Sequence, residues 1–185
     1  MRYRKARSAL AAEEIELRRH VARVAEMRRA LPPGGDVTKN WCFECTDGPV
    51  GLAALFGEQQ PLIVHRLCTD SSASSLPHAH DANECWAGIA RHLKQRVAFA
   101  MVARSSIARI LAYGRERRWN NLKLCSNPGG ACTRDYVSAE AEDMPVCSVF
   151  HRTDGAIRQF WSSEGGSATA DPGQNPHGAP DRSAL

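Results

Sequence analysis

Apolar positions recur along this chain in two rhythms. From residue 3 to about 30 the rhythm is helical. Leu10, Leu17, Val21, Val24 and Leu31 return at spacings of three, four and seven, which draws one apolar stripe on a long helix. Arg and Glu fill the rest of that surface, some at i,i+3 and i,i+4 spacing, as a solvated face. Leu31-Pro32-Pro33-Gly34-Gly35 ends the helix. Beyond it the pattern shortens. Residues 41–45 read as a strand, Asp47-Gly48 as a turn, and 50–56 as a short apolar stretch long enough for one helical turn. Residues 61–67, with Leu62-Ile63-Val64 in a row, read as a strand buried on both faces. A polar loop over 69–75 and Pro77 lead to a helix over 81–93. Residues 97–102 form a second buried strand. Ser105 or Ser106 is placed to cap a helix over 107–118. A third strand covers 122–125, and Asn127-Pro128-Gly129-Gly130 is a loop. Pro145 precedes a strand over 146–151, and Asp154-Gly155 turns it into a partner over 156–161.

That order, strand and helix alternating before a terminal hairpin, predicts an α/β fold with parallel pairing at its centre and an antiparallel edge. It is the layout of a thioredoxin-like three-layer sandwich with a mixed central sheet, here with an extra long N-terminal helix. The expected division is a helix and Pro-Gly linker over 1–35, the thioredoxin-like domain over 36–164, and a poorly ordered tail over 165–185, where Gly, Ser, Pro, Asp and Asn dominate. The stripe of the first helix needs a partner, either the domain or a second copy, so a homodimer through that helix is one expectation.

Composition adjusts this picture in five places. Apolar residues make up 43% of the chain, enough for a core. No apolar run reaches the roughly eighteen residues of a membrane span, so no membrane partner is expected. Met1-Arg2-Tyr3-Arg4-Lys5 is basic without a following apolar segment, which argues against a secretory signal and for the cytoplasm. The net charge of +4 is spread along the helices, so nucleic acid is not an expected partner. Seven cysteines, an odd count, argue against a disulfide framework and leave core, redox, metal-ligating or incidental roles.

Several segments together resemble a bacterial thioredoxin-like family of predicted dithiol-disulfide oxidoreductases, long labelled a domain of unknown function. They are Ala12-Glu13-Glu14-Ile15-Glu16-Leu17-Arg18-Arg19, Leu31-Pro32-Pro33-Gly34-Gly35, Phe43-Glu44 before Asp47-Gly48-Pro49-Val50, and Leu55-Phe56-Gly57. Val102-Ala103-Arg104-Ser105, Thr133-Arg134-Asp135-Tyr136, Phe160-Trp161-Ser162-Ser163-Glu164 and Asp171-Pro172-Gly173-Gln174 complete the set. The resemblance covers residues from about 3 to 176 and rests on their order and spacing. It implies a Cys-Pro-x-Cys motif at the start of the helix after the first buried strand. Counted back from Arg91-His92-Leu93, that slot holds Leu76-Pro77-His78-Ala79. The family's apolar, Trp-containing stretch after the Pro-Gly-Gln segment is also missing, and Gly178-Ala179-Pro180 stands there instead. Dithiol exchange needs an attacking thiolate and a second thiol to resolve the mixed disulfide. Leucine and alanine supply neither, so ordinary exchange at the slot is expected to be dead. The resemblance also implies a cis bond at Met144–Pro145 beside the site; a trans proline opening an edge strand is the alternative. Within the Thr-Arg-Asp-Tyr motif, Arg134 either pairs with Asp135 or lines the site.

Three other sources of chemistry stay open. Trp41-Cys42-Phe43-Glu44-Cys45 spells W-C-x-x-C, but lies in a strand, where residues three apart face opposite sides; half-buried strand cysteines are the plainer reading of Cys42 and Cys45. His65, Cys68, His78, His80, Glu84 and Cys85 surround the vacated slot. His78, His80 and Cys85 would suit zinc or copper, against a plainer reading of polar loop residues with Cys85 buried in its helix. No cofactor is otherwise required. Cys68 or Cys85 could act as a single thiol with an external resolving partner, against the plainer reading of an inert buried thiol. Cys125, Cys132 and Cys147 have no partner that the sequence names. A small molecule or a protein thiol is the expected partner class, with a thiol-dependent oxidoreductase the expected enzyme class if there is one.

Overall fold

The computed structural model describes residues 2–67, 77–130, 132, 135 and 146–164, the side chains of 77–82 and 163–164 excepted. The chain divides into two compact units, residues 1–33 and 34–185. The first holds α1, Arg2–Arg29. Its length follows from a stripe without Gly or Pro, and Pro32-Pro33 ends it. None of its residues is buried. Arg19 pairs with Glu16 at 2.5 Å, Arg7 with Glu14 at 3.3 Å, and Arg29 with Glu26. All six side chains are exposed, so solvent and salt screen these pairs and each adds little to stability.

The second unit carries β1 (Cys42–Cys45), β2 (Gly48–Gly51), α2 (Leu52–Leu55), β3 (Pro61–Arg66), α3 (Pro77–Leu93) and β4 (Ala98–Ala103). α4 (Ile107–Glu116), β5 (Lys123–Ser126), β6 (Val146–Thr153) and β7 (Ala156–Glu164) follow. The strands form one sheet in the order β2-β1-β5-β4-β3-β6-β7. β3, β4 and β5 run parallel, while β1 and β6 flank them antiparallel. A thioredoxin-like α/β fold with a mixed sheet and an added N-terminal helix is therefore what the chain adopts.

Two right-handed crossovers, β3-α3-β4 and β4-α4-β5, step across the sheet in the same direction and so leave both helices on one face. Phe99, Met101 and Ala103 of β4 meet Ile110 of α4 and Trp86 and Leu93 of α3 there. The alternate residues, Leu62, Val64, Ala100 and Val102, pack the other face against Phe43, Leu52, Leu55, Phe56 and Phe150. The period-two alternation of strands accounts for this division.

Several boundaries differ from the sequence reading for physical reasons. α3 starts at Pro77 instead of residue 81, because proline at a first helical position loses no hydrogen bond and brings a helical φ. β2 was not legible, since Gly48-Pro49-Val50-Gly51 is poor strand material; as an edge strand it tolerates its proline. Ser106 stands at the N-cap of α4 but makes no side-chain capping bond. The Asp154-Gly155 turn does form, with φ of 52° and 81°, the left-handed pair a two-residue hairpin prefers. At Gly34 a Cβ would run into the carbonyl of Gln159, which accepts the Gly34 N–H at 3.1 Å, so the start of this unit lies against β7 only because the residue is glycine.

The absence of a disulfide framework needs correction at one point. Cys45 and Cys125 are bonded. β1 lies antiparallel beside β5 and sets these two residues directly opposite one another, with Cα atoms 4.2 Å apart. Their separation of 80 residues hides the pairing from local sequence inspection.

Phe150 has no exposed surface and packs across β3. Phe150→Ala is expected to lower unfolding free energy by about 3–5 kcal/mol, read from urea denaturation, with little change in the helical circular dichroism of the folded state.

Candidate functional site

The carboxyl ends of the parallel strands β3, β4 and β5 open on one side of the sheet, where α/β folds place their ligands. β3 delivers His65 and Arg66 to that edge, both buried. β4 delivers Ala103 and Arg104, and β5 delivers Ser126 and Asn127. The Ser126 hydroxyl donates to the Ser105 carbonyl at 2.6 Å, tying the end of β5 to the entry of α4.

His65 is 4% exposed. It points to the helical face, against Trp86 (centroids 5.3 Å apart), which stacks on Phe99. Its Nε2 lies 3.1 Å from Asn83 Oδ1. With that oxygen as acceptor the ring proton sits on Nε2. Nδ1 meets no hydrogen-bond partner among the described residues. Burial pushes the imidazole down to about 4; the bond to Asn83 opposes this, and the Arg66 charge adds to it. The ring is therefore neutral near neutral pH.

Of the other members of the predicted cluster, Glu84 and Cys85 have described side chains, and each is directed elsewhere. Glu84 accepts from Trp119 Nε1 and from Arg117, both at 3.3 Å, so its carboxylate faces α4's end instead. Cys85 is exposed, not buried in its helix. It stands eight residues past Pro77, about 12 Å along the axis, beyond the first turn where a helix N-terminus favours a thiolate. α3 also spaces His78 and Cys85 two turns, about 10 Å, apart, whereas ligand bonds to one zinc ion are about 2 Å long. Among the described residues no three His, Cys, Asp or Glu side chains come together to hold a metal. Cys68, Leu76 and Pro145, with the Met144–Pro145 bond, lie outside the described residues, as do the side chains of His78 and His80.

Cys42 and Cys45 occupy opposite faces of β1, as strand geometry requires: Cys42 is exposed, and Cys45 is buried with its sulfur bonded to Cys125. Two of the described free thiols, Cys132 and Cys147, are held protonated, and Cys147 of β6 pairs in register with His65 of β3. Burial raises Cys132 to about 12, helped by the Asp135 carboxylate, and burial alone raises Cys147 to about 11. Asp135 itself accepts from Lys39 Nζ at 2.8 Å and from Trp41 Nε1 at 2.9 Å. The sequence offered Arg134 as its partner; Arg134 lies outside the described residues. Neither the Asp135–Trp41 bond nor the His65–Asn83 bond had a local signal, because each joins residues from different elements.

These features define a thioredoxin-like protein. Solved structures share the fold at low identity: the pneumococcal exposed lipoprotein thioredoxin Etrx1 from Streptococcus pneumoniae has 15% identity and a TM-score of 0.50, over 69% of this chain and 90% of that one. A PrxQ mutant from Xylella fastidiosa has 8% identity and a TM-score of 0.52, over 72% and 86%. A hypothetical protein from Sinorhizobium meliloti has 13% identity and a TM-score of 0.52, over 81% and 80%. No curated protein matches the sequence. The chain belongs to the family described as bacterial protein of unknown function, DUF899, which matches residues 1–176.

Two predictions follow from the site's burial. A histidine neutral in the fold is protonated more readily when unfolded, so its contribution is complete above pH 6.5 and is lost as pH falls toward about 4. Urea titrations across that window should show a loss on the order of 3 kcal/mol for the native chain, and a smaller one for His65→Gln. Iodoacetamide at mildly alkaline pH should label Cys42 and Cys85 quickly and leave Cys132 and Cys147 largely unlabelled until urea is added.

Proposed function

We propose that this protein is a thioredoxin-like relative of thiol-disulfide oxidoreductases whose redox slot carries Leu76-Pro77-His78-Ala79, and that it engages a small molecule or a protein thiol partner without dithiol exchange. The supporting observation is the start of α3. The helix after β3 begins at Pro77, at the carboxyl edge of the parallel strands, with no cysteine on either side of that proline. A helix N-terminus lowers the pKa of a thiol placed in its first turn. Here the position holds leucine and alanine, which neither attack a disulfide nor resolve one. The described free thiols do not substitute for the pair, since Cys132 is buried and Cys147 half-buried, both held protonated, and Cys42 and Cys85 are separated on β1 and α3.

A second reading is favoured by one observation, the exposure of Cys85. A single thiol there could form a mixed disulfide that an external thiol resolves.

Insulin reduction with dithiothreitol separates the two. The native chain should not accelerate precipitation above dithiothreitol alone. Installing the missing pair, Leu76→Cys with Ala79→Cys, should bring activity of at least about tenfold over native, since it restores both the attacking and the resolving thiol. Native turnover that Cys85→Ser abolishes would overturn the first reading in favour of the second.

A further inference from the structure

The Cys45–Cys125 bond plays no part in the reading above, and its surroundings carry an inference of their own. β1 pairs with β5 at two positions, Glu44 with Ser126 and Cys45 with Cys125. β3, by contrast, pairs with β6 along six positions, from Pro61 to Arg66. The hairpin β1–β2 is thus joined to the parallel sheet by a short ladder whose last rung is covalent. The hairpin also borders the rest of the fold through Trp41, which donates to Asp135, and through Phe43, which has no exposed surface.

We propose that this disulfide is a redox-controlled clasp, made and broken by exchange with an external dithiol–disulfide couple, that sets how often the hairpin β1–β2 opens from β5. In the reducing direction an external thiolate attacks one sulfur, the S–S bond breaks, and the other cysteine leaves as a thiolate and takes up a proton. The second thiol of the external dithiol then displaces the first cysteine. Two cysteine thiols and one external disulfide result, with two electrons passed from the external dithiol. Formation is the reverse, with an external disulfide as the oxidant.

Burial decides the route. Cys45 is 4% exposed and Cys125 not at all, so no thiolate reaches either sulfur while the hairpin is closed. Exchange therefore waits for local opening, in the way that amide protons of a cooperative unit do. Once reduced, Phe43, Leu52 and Leu55 still bury the hairpin and the short helix after it, so the domain stays folded while this corner opens more often. The same opening frees Trp41 from Asp135, which passes the redox state to Asp135 and its partner Lys39.

Hydrogen exchange on the full chain, oxidised and then reduced with dithiothreitol, tests the clasp. Amides of residues 42–51 should exchange at least about tenfold faster in the reduced chain and in Cys125→Ser, while those of β3 and β4 stay unchanged. The bond should be reduced at least about tenfold more slowly in the folded chain than in the same chain in urea. If Cys125→Ser fails to fold, the reduced native chain supplies the comparison. Unchanged hairpin exchange after reduction would overturn the proposal, as would loss of protection throughout β3 and β4. Equal reduction rates in the folded and the urea-unfolded chain would do the same, because the bond would then be open to direct attack. None of these outcomes depends on the vacant slot.

Discussion

The burial of β3 on both faces is the constraint from which the rest of the molecule follows. β3 lies between a parallel neighbour, β4, and an antiparallel one, β6, so its residues must be apolar above and below the sheet. Leu62 and Val64 fill one face and Ile63 the other. A parallel partner demands a crossover, and handedness sends that crossover to a single side. α3 and α4 are thereby fixed to one face, and the start of α3 is brought to the carboxyl end of β3. That end is where α/β sheets place their ligands.

The described residues present little activated sulfur. Thiol chemistry depends on stabilising the thiolate, through a helix N-terminus or nearby positive charge. In this chain the effects run the other way. Cys132 and Cys147 are pushed toward the thiol form by burial, and Cys45 and Cys125 are sealed in a bond inside the apolar layer. His65 is likewise held neutral, by the same loss of solvent. Desolvation is the common cause, and it makes these groups parts of the core. Cys42 and Cys85 are exposed, but they lie on separate elements, and neither lies within the first turn of a helix. The fold is thioredoxin-like, while four of the six described cysteines are buried or half-buried away from solvent.

Most of the fold was legible in the sequence because it depends on local periodicity. Leu62-Ile63-Val64 and Ala98-Phe99-Ala100-Met101 can only be buried strands when flanked by turn residues, and Asp154-Gly155 forces its hairpin. β2 escaped notice because two glycines and a proline pair only by virtue of the edge they occupy. The site was harder to read, and for one reason. His65 with Asn83, Glu84 with Trp119, Trp41 with Asp135 and Cys45 with Cys125 are all contacts between elements distant in sequence. Residue type suggested that His65, Glu84 and Cys85 formed one cluster. Helix geometry separates them, since successive positions on α3 point in different directions.

Whether the start of α3 carries a working pair of thiols is decided by equilibrating the full chain in glutathione redox buffers, blocking free thiols by alkylation, and mapping disulfides by mass spectrometry. One intramolecular bond, between Cys45 and Cys125, is expected across the whole range of oxidising buffers. An intramolecular disulfide that includes Cys68 or Cys85, formed and broken reversibly in the folded protein, would contradict that expectation.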